Sequence, residues 1–99
     1  MENHSEEFKT YIITLEATND LTNIFEFGIY KFGVLQAEKF IEELFSIFDN
    51  IKRDPYLSST IKYKPNTRKA TFKKHTILFG IENKRVVIYR VVKKQNVLY

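Results

Sequence analysis

At Asp54-Pro55 the hydrophobic period of this chain changes from roughly 3.6 residues to roughly 2, which divides it into a helical part and a sheet-forming part. Immediately before the break, Val34, Ala37, Phe40, Ile41, Leu44, Phe45, Ile47, Phe48 and Ile51 fall within one broad stripe. Glu38, Lys39, Glu42, Glu43, Ser46, Asp49 and Asn50 take the opposite side. An apolar face this wide needs two neighbours to cover it, here a second helix and a sheet. The residue before a proline is driven out of the α region, so the helix stops at Asp54-Pro55.

Upstream, Phe8 to Leu15 alternates imperfectly and is rich in Tyr, Ile and Thr, which predicts a first strand. A helix is expected from about Thr18, with Thr18 or Asn19 as N-cap and Asp20 in the first turn. Leu21, Ile24, Phe25, Gly28 and Phe32 make its apolar face, and Gly33 is placed to stop it in a left-handed conformation. The two helices then form a hairpin. After Pro55 a loop over 56–60 leads to a short strand at Ile61–Lys64, a turn at Pro65-Asn66 and a strand at Arg68–Phe72. His75–Ile81 places Ile77, Phe79 and Ile81 on one face. Glu82-Asn83-Lys84 supplies a tight turn, and Arg85–Val92 is a β-branched final strand. The reading is one α+β domain over 1–99, with 1–7 a flexible tail: an N-terminal strand, a two-helix hairpin, then a three-stranded antiparallel sheet.

Charge follows the same division. Residues 1–59 carry five basic and eleven acidic side chains, a balance of −6, and residues 60–99 carry eleven basic ones against Glu82 alone, a balance of +10. The net +4 conceals this asymmetry. A half so basic suggests an acidic or polyanionic partner. Lysines on a sheet edge also guard against edge-to-edge pairing, the plainer account of such charge.

Several chemistries are unsupported. With no cysteine there is no disulfide and no thiolate metal site, as suits a reducing cytosol. The polar, acidic start lacks the basic end and apolar run of a secretory signal, and no stretch approaches the ~18 apolar residues of a membrane span. A soluble, cytoplasmic protein is expected. A Gly-rich phosphate loop, a Gly-x-Ser-x-Gly elbow and a His-Glu-x-x-His helix are all missing from the sequence, so no cofactor and no small-molecule substrate is expected. His75 has no second ligand at metal spacing beside it, and His4 falls in the tail. No metal site is expected.

Three further features stand out. Arg90 shares strand parity with Val86, Ile88 and Val92, which places it partly buried and in need of a partner, either Glu82 or a helix acid. Phe27, Tyr30 and Leu35 fall off the apolar stripes of their helices near the hairpin corner, on sides that should otherwise be wet. Tyr63, Phe72 and Tyr89 interleave with the basic residues, as they would on a nucleic-acid surface.

Taken in order, several short stretches resemble the RelE/ParE superfamily of bacterial toxin–antitoxin toxins over roughly residues 10–95. These are Ala17-x-x-Asp20-Leu21-x-x-Ile24, Gly33-x-x-x-Ala37, Asp54-Pro55, Arg68, His75-Thr76-Ile77-Leu78-Phe79 and Ile88-Tyr89-Arg90-Val91. The resemblance implies a toxin neutralised by a cognate antitoxin that covers the sheet and hairpin, with Phe27, Tyr30 and Leu35 as contacts. It also leaves two mechanisms. RelE-like members cut messenger RNA on the ribosome and would here use Arg68 and Arg90 on the phosphate and Tyr99 in proton transfer. ParE-like members poison DNA gyrase without catalysis. Thr76 stands where some nucleases have arginine, and Lys93-Lys94-Gln95-Asn96 stands where some close on histidine–tyrosine, so the branch implied is ParE. Arg68, Lys73, Lys74, Arg90, Lys93 and Lys94 are then the expected target-binding surface.

Overall fold

The structure is a computed structural model that describes residues 10–61 and 64–94; the expected tail at 1–7, Tyr63 and Tyr99 lie outside these. Strand β1 (Tyr11–Ile13) leads into helices α1 (Leu15–Phe32) and α2 (Val34–Arg53). A single 3-10 turn at Pro55–Leu57 then connects to β2 (Ser59–Ile61), β3 (Lys64–Phe72), β4 (His75–Glu82) and β5 (Arg85–Lys93). The sheet runs β1-β5-β4-β3-β2, with β2 to β5 antiparallel and β1 parallel to β5 at one edge. The α+β class, with an N-terminal strand, a helical hairpin and then antiparallel strands, is the expected one, and the N-terminal strand and the short β2 form the two edges of the same sheet.

Helix α1 starts earlier than its sequence suggests. Thr14 is the N-cap: its Oγ1 accepts the Ala17 N–H at 3.1 Å and donates to the Tyr89 carbonyl at 2.9 Å. Its backbone N–H is taken by the Ile88 carbonyl at 3.1 Å. Contact with β5 therefore sets the helix start, ends β1 at Ile13, and puts Leu15, Thr18 and Asn19 inside the helix. Asp20 consequently lies in the second turn and has another task.

Gly33 serves both helices, closing α1 by donating to Ile29 O at 2.9 Å and accepting from Ala37 N at 3.1 Å. Its φ of 91° and ψ of 165° are not left-handed helical as expected, but belong to a positive-φ extended region open almost only to glycine. Behind it, a Cβ on Gly28 would stand 3.2 Å from the Ala37 Cβ, so the two helices meet closely at this pair.

The core lies between the hairpin and one face of the sheet. Ala17, Leu44, Phe48 and Ile51 from the helices meet Ile77, Phe79, Val86, Ile88 and Val91. Phe48 and Phe79 are wholly buried, each a gain of about 1.5–3 kcal/mol over exposure. Three stripe residues are exposed. Phe32 and Val34 flank Gly33 at the hairpin tip and are 66% and 50% exposed, and Phe45 lies at the margin against the edge of Phe48.

Two other corrections concern the sheet. Pro65-Asn66 belongs to β3 and makes no turn; Ile61 already pairs with Lys64, so the chain has reversed before the proline. In β5 the register shifts from Leu78↔Arg90 to Phe79↔Ile88, leaving Tyr89 as an extra residue. This bulge breaks the parity argument for Arg90: Val86 and Ile88 face the core, and after the bulge Val91 does so in its place. Arg90 is exposed as a result.

Candidate functional site: a cationic cleft beside the last strand

Since the chain leaves β1 for α1 at Thr14, no strand among the described residues pairs with the outer side of the second half of β5. Helix α1 runs past it, and an open cleft of ≈ 1060 Å³ forms there, bounded by both helices, the β3–β4 turn and the end of β5. Ile24, Gly28, Ala37, Phe40 and Val91 make an apolar lining, and Lys31, Lys73, Lys74, His75, Arg90 and Lys93 supply basic groups.

Each basic group is held differently. Arg90 grips Asp20 of α1, Nε to Oδ2 at 2.7 Å and Nη2 to Oδ1 at 3.0 Å. Asp20 Oδ2 also accepts the Val91 N–H at 2.9 Å, so one carboxylate binds a guanidinium and satisfies a free strand-edge amide. This pairing raises the Arg90 pKa further above its ordinary value. Lys73, at φ 55° in the β3–β4 turn, reaches Glu43 of α2 at 3.1 Å and lies over the rings of Phe40 and Phe72. Lys31 and Lys93 come from different elements to the same ring, 5.9 and 5.4 Å from the Phe27 centroid. Among the described residues neither makes an ion pair, nor does Lys74. Lys94 adjoins them, its backbone N–H bonded to Lys74 O at 3.0 Å.

His75 is half-buried with its ring against the edge of Phe40, centroids 5.6 Å apart. Its Nδ1 is buried and finds no partner among the described residues. Burial first, and the Lys93 charge second, push its pKa below the ordinary value, so the ring is neutral at pH 7.

Arg68 is elsewhere. Register sets it opposite Phe79, where its Nη1 donates to Ser58 O and its guanidinium lies 5.0 Å from the Tyr56 ring centroid. It braces the segment between α2 and β2. Arg90 lies two strands away on β5, bonded to Asp20 of α1, so the two arginines are not brought together. Of the predicted surface, Lys73, Lys74, Arg90 and Lys93 line one cleft with Phe27, while Tyr30 and Leu35 stay at the hairpin tip, 85% and 83% exposed. Lys31 and Asp20 went unrecognised as site residues in the sequence. Lys31 sits four residues after Phe27, a spacing that puts the two on one face of α1. Asp20 is one of the helix acids offered as a partner for Arg90, and the structure selects it.

Among the described residues no group of three or more His, Asp or Glu could hold a metal ion, and no helix is long and apolar enough to cross a membrane. The model of the ParE toxin of type II toxin–antitoxin systems, parDE, matches residues 11–98. No curated protein matches. The fold is similar to a chain of the chromosomal ParDE toxin–antitoxin system of P. aeruginosa, with TM-score 0.78 and 17% identity over 88% of this chain and 97% of that one. It is also similar to a chain of the toxin–antitoxin complex RelBE2 from Mycobacterium tuberculosis, with TM-score 0.64 and 19% identity over 88% and 92%. At these identities the likeness is one of fold.

Proposed function

The chain belongs to the ParE toxin family of type II toxin–antitoxin systems, and from that premise we propose that it inhibits DNA gyrase through the cationic cleft, without catalysis of its own. The observation that carries this reading is the convergence of Lys73, Lys74, Arg90 and Lys93 on one cleft from the β3–β4 turn and β5. A cationic concavity with an apolar floor suits a protein surface that offers both acidic and apolar groups. The site of action is the cytoplasm, where gyrase works.

A cognate antitoxin neutralises the toxin by covering the hairpin corner at Phe27, Tyr30 and Leu35. Exposed aromatic and aliphatic side chains at one corner are the kind of patch a protein partner buries. Phe27 also lines the cleft, so that cover extends into the target-binding surface.

Cleavage of messenger RNA on the ribosome is less well supported. It asks Arg68 and Arg90 to grip one phosphate, yet Arg68 is bonded to Ser58 O beside Tyr56 and Arg90 to Asp20 of α1, on strands separated by β4. Tyr99, the third member of that set, is outside the described residues.

Purified protein incubated with gyrase, ATP and relaxed plasmid tests the reading. Loss of supercoiling, or accumulation of protein-linked breaks, is expected, and Lys93→Glu weakens it. Unaffected gyrase sinks the proposal for that enzyme. Ribosome-dependent cleavage that Tyr99→Phe abolishes would establish the alternative.

A further inference from the structure

Among the described residues, half of the exposed large apolar side chains fall within nine positions of the chain, around the turn from α1 to α2. They are Phe27, Tyr30, Phe32, Val34 and Leu35. Gly33 lies among them, and a Cβ built on it would meet no other atom within 4 Å, so the turn stands in open space. Single exposed apolar residues are ordinary, but five at one turn form a patch of the kind that a partner or a membrane covers.

The balance of charge beside this patch is positive. Within the hairpin, Glu26 and Glu38 offset Lys31 and Lys39. Lys74 and Lys93 then border the patch through the cleft that Phe27 and Phe32 help to line. Among the described residues no carboxylate pairs with Lys31, Lys74 or Lys93, because Asp20 is engaged by Arg90 and Glu43 by Lys73. Tyr30 adds a ring with a polar end. Aliphatic and aromatic side chains at a tip, a tyrosine beside them and lysines around them are the residue types that settle where lipid headgroups meet acyl chains.

We propose that the hairpin tip is a reversible docking surface for an anionic lipid bilayer. Phe32, Val34 and Leu35 enter the boundary of the acyl region, Tyr30 lies at headgroup level, and Lys31, Lys74 and Lys93 meet the lipid phosphates. Shape and charge select this occupant. The tip is a convex reversal of the chain, for which a protein would need a matching socket, whereas a fluid bilayer closes around it. Nucleic acid could use the lysines but offers nowhere to bury Val34 and Leu35. The cytoplasmic leaflet is the anionic one, and the cytoplasm is where the toxin is proposed to act. So few apolar side chains give shallow anchoring that reverses readily. Phe27, Tyr30 and Leu35 are also the proposed antitoxin contacts, so antitoxin and bilayer exclude one another and the free toxin is the form that docks.

The test is co-sedimentation of the full chain with vesicles of phosphatidylcholine alone and of phosphatidylcholine mixed with phosphatidylglycerol. Wild type is expected to sediment with the mixed vesicles and to stay in solution with the neutral ones. The double variant Phe32→Ser, Val34→Ser should bind the mixed vesicles about tenfold or more weakly, and Lys31→Glu with Lys93→Glu by a similar factor. All four side chains are exposed, so the core is untouched, and thermal melts verify that each variant is folded. Leu57→Ser, in the 3-10 turn and as exposed as Leu35, is the control and should bind as wild type does. The proposal is overturned if the mixed vesicles leave wild type in solution, or if the neutral vesicles bind it equally. It is also overturned if the double variant binds unchanged, or if Leu57→Ser loses as much. A concentration-dependent dimer that the double variant abolishes, with no vesicle binding, would assign the tip to a second copy of the chain instead. Gyrase is absent from the assay, so its outcome is separate from that of the supercoiling test.

Discussion

The Asp20 carboxylate on α1 is joined to the Arg90 guanidinium on β5 by two hydrogen bonds, and it takes the Val91 amide as well. The pair bridges seventy positions of sequence and fastens the first helix to the strand edge that the cleft is built on. Asp20 is the shielded partner, its side chain 14% exposed, and Arg90 is half in water at 47%.

Removing the carboxylate strands a strand-edge N–H and a guanidinium together. Asp20→Ala is expected to lower stability by about 1–2 kcal/mol, the exposure of Arg90 keeping the figure modest. Asp20→Asn, which keeps one acceptor, should cost less. Urea unfolding of the three proteins measures both. Equal stability of wild type and Asp20→Ala would show the bridge to be ornamental.

His75 makes stability depend on acid. Its folded pKa lies below the unfolded value of about 6.5. As pH falls through that value the unfolded chain takes up a proton that the folded site resists, so stability declines between the unfolded and the lower folded pKa and is level above it. Lys93→Met should raise the His75 pKa without restoring it fully, since burial is the larger cause. An NMR titration of the ring reads this directly, and a fall on Lys93→Met would refute the assigned cause.

On the sheet face away from the helices, Tyr89 donates its hydroxyl to Glu82, and burial together with this bond pushes its pKa up to about 12. Gly80 makes the room: a Cβ there would stand 2.6 Å from the Tyr89 hydroxyl and 3.0 Å from the Asn66 carbonyl. Gly80→Ala is therefore expected to cost about 1–3 kcal/mol and to bring the Tyr89 pKa down toward 10. In the wild type the unfolded phenol ionises first, so stability falls as pH rises from about 10 to about 12. Ultraviolet titration should find one fewer late-ionising tyrosine in Gly80→Ala than in the wild type, where burial raises Tyr11 as well as Tyr89.

Phe48 anchors α2 to the sheet, with Tyr11 and Phe45 edge-on at 5.7 and 5.6 Å. Phe48→Ala should cost about 3–5 kcal/mol. Phe45→Ala, at the exposed margin, should cost far less. Thermal melts of both variants rank the two rings, and a reversed order would contradict the burial described.

Much of this protein was decided within short stretches of its own sequence. The stripe from Ala37 to Ile51, the stop at Asp54-Pro55, the hinge at Gly33 and the period-2 strands after it follow from local backbone preference and from which side chains must leave water. The charge division and the exposed corner at Phe27, Tyr30 and Leu35 were equally legible. The tertiary structure decided what depends on residues far apart. Thr14 caps α1 because β5 supplies the Tyr89 and Ile88 carbonyls. One extra residue in β5 moves Val91 onto the core face and leaves Arg90 for Asp20. Strand order separates Arg68 on β3 from Arg90 on β5, and the packing of α1 on the sheet brings Lys31 and Lys93 to Phe27 with Lys74 lining the same cleft. A sequence records which charges a chain carries. Which of them are neutralised is a matter of distance, and distance is set only when the helices settle on the sheet.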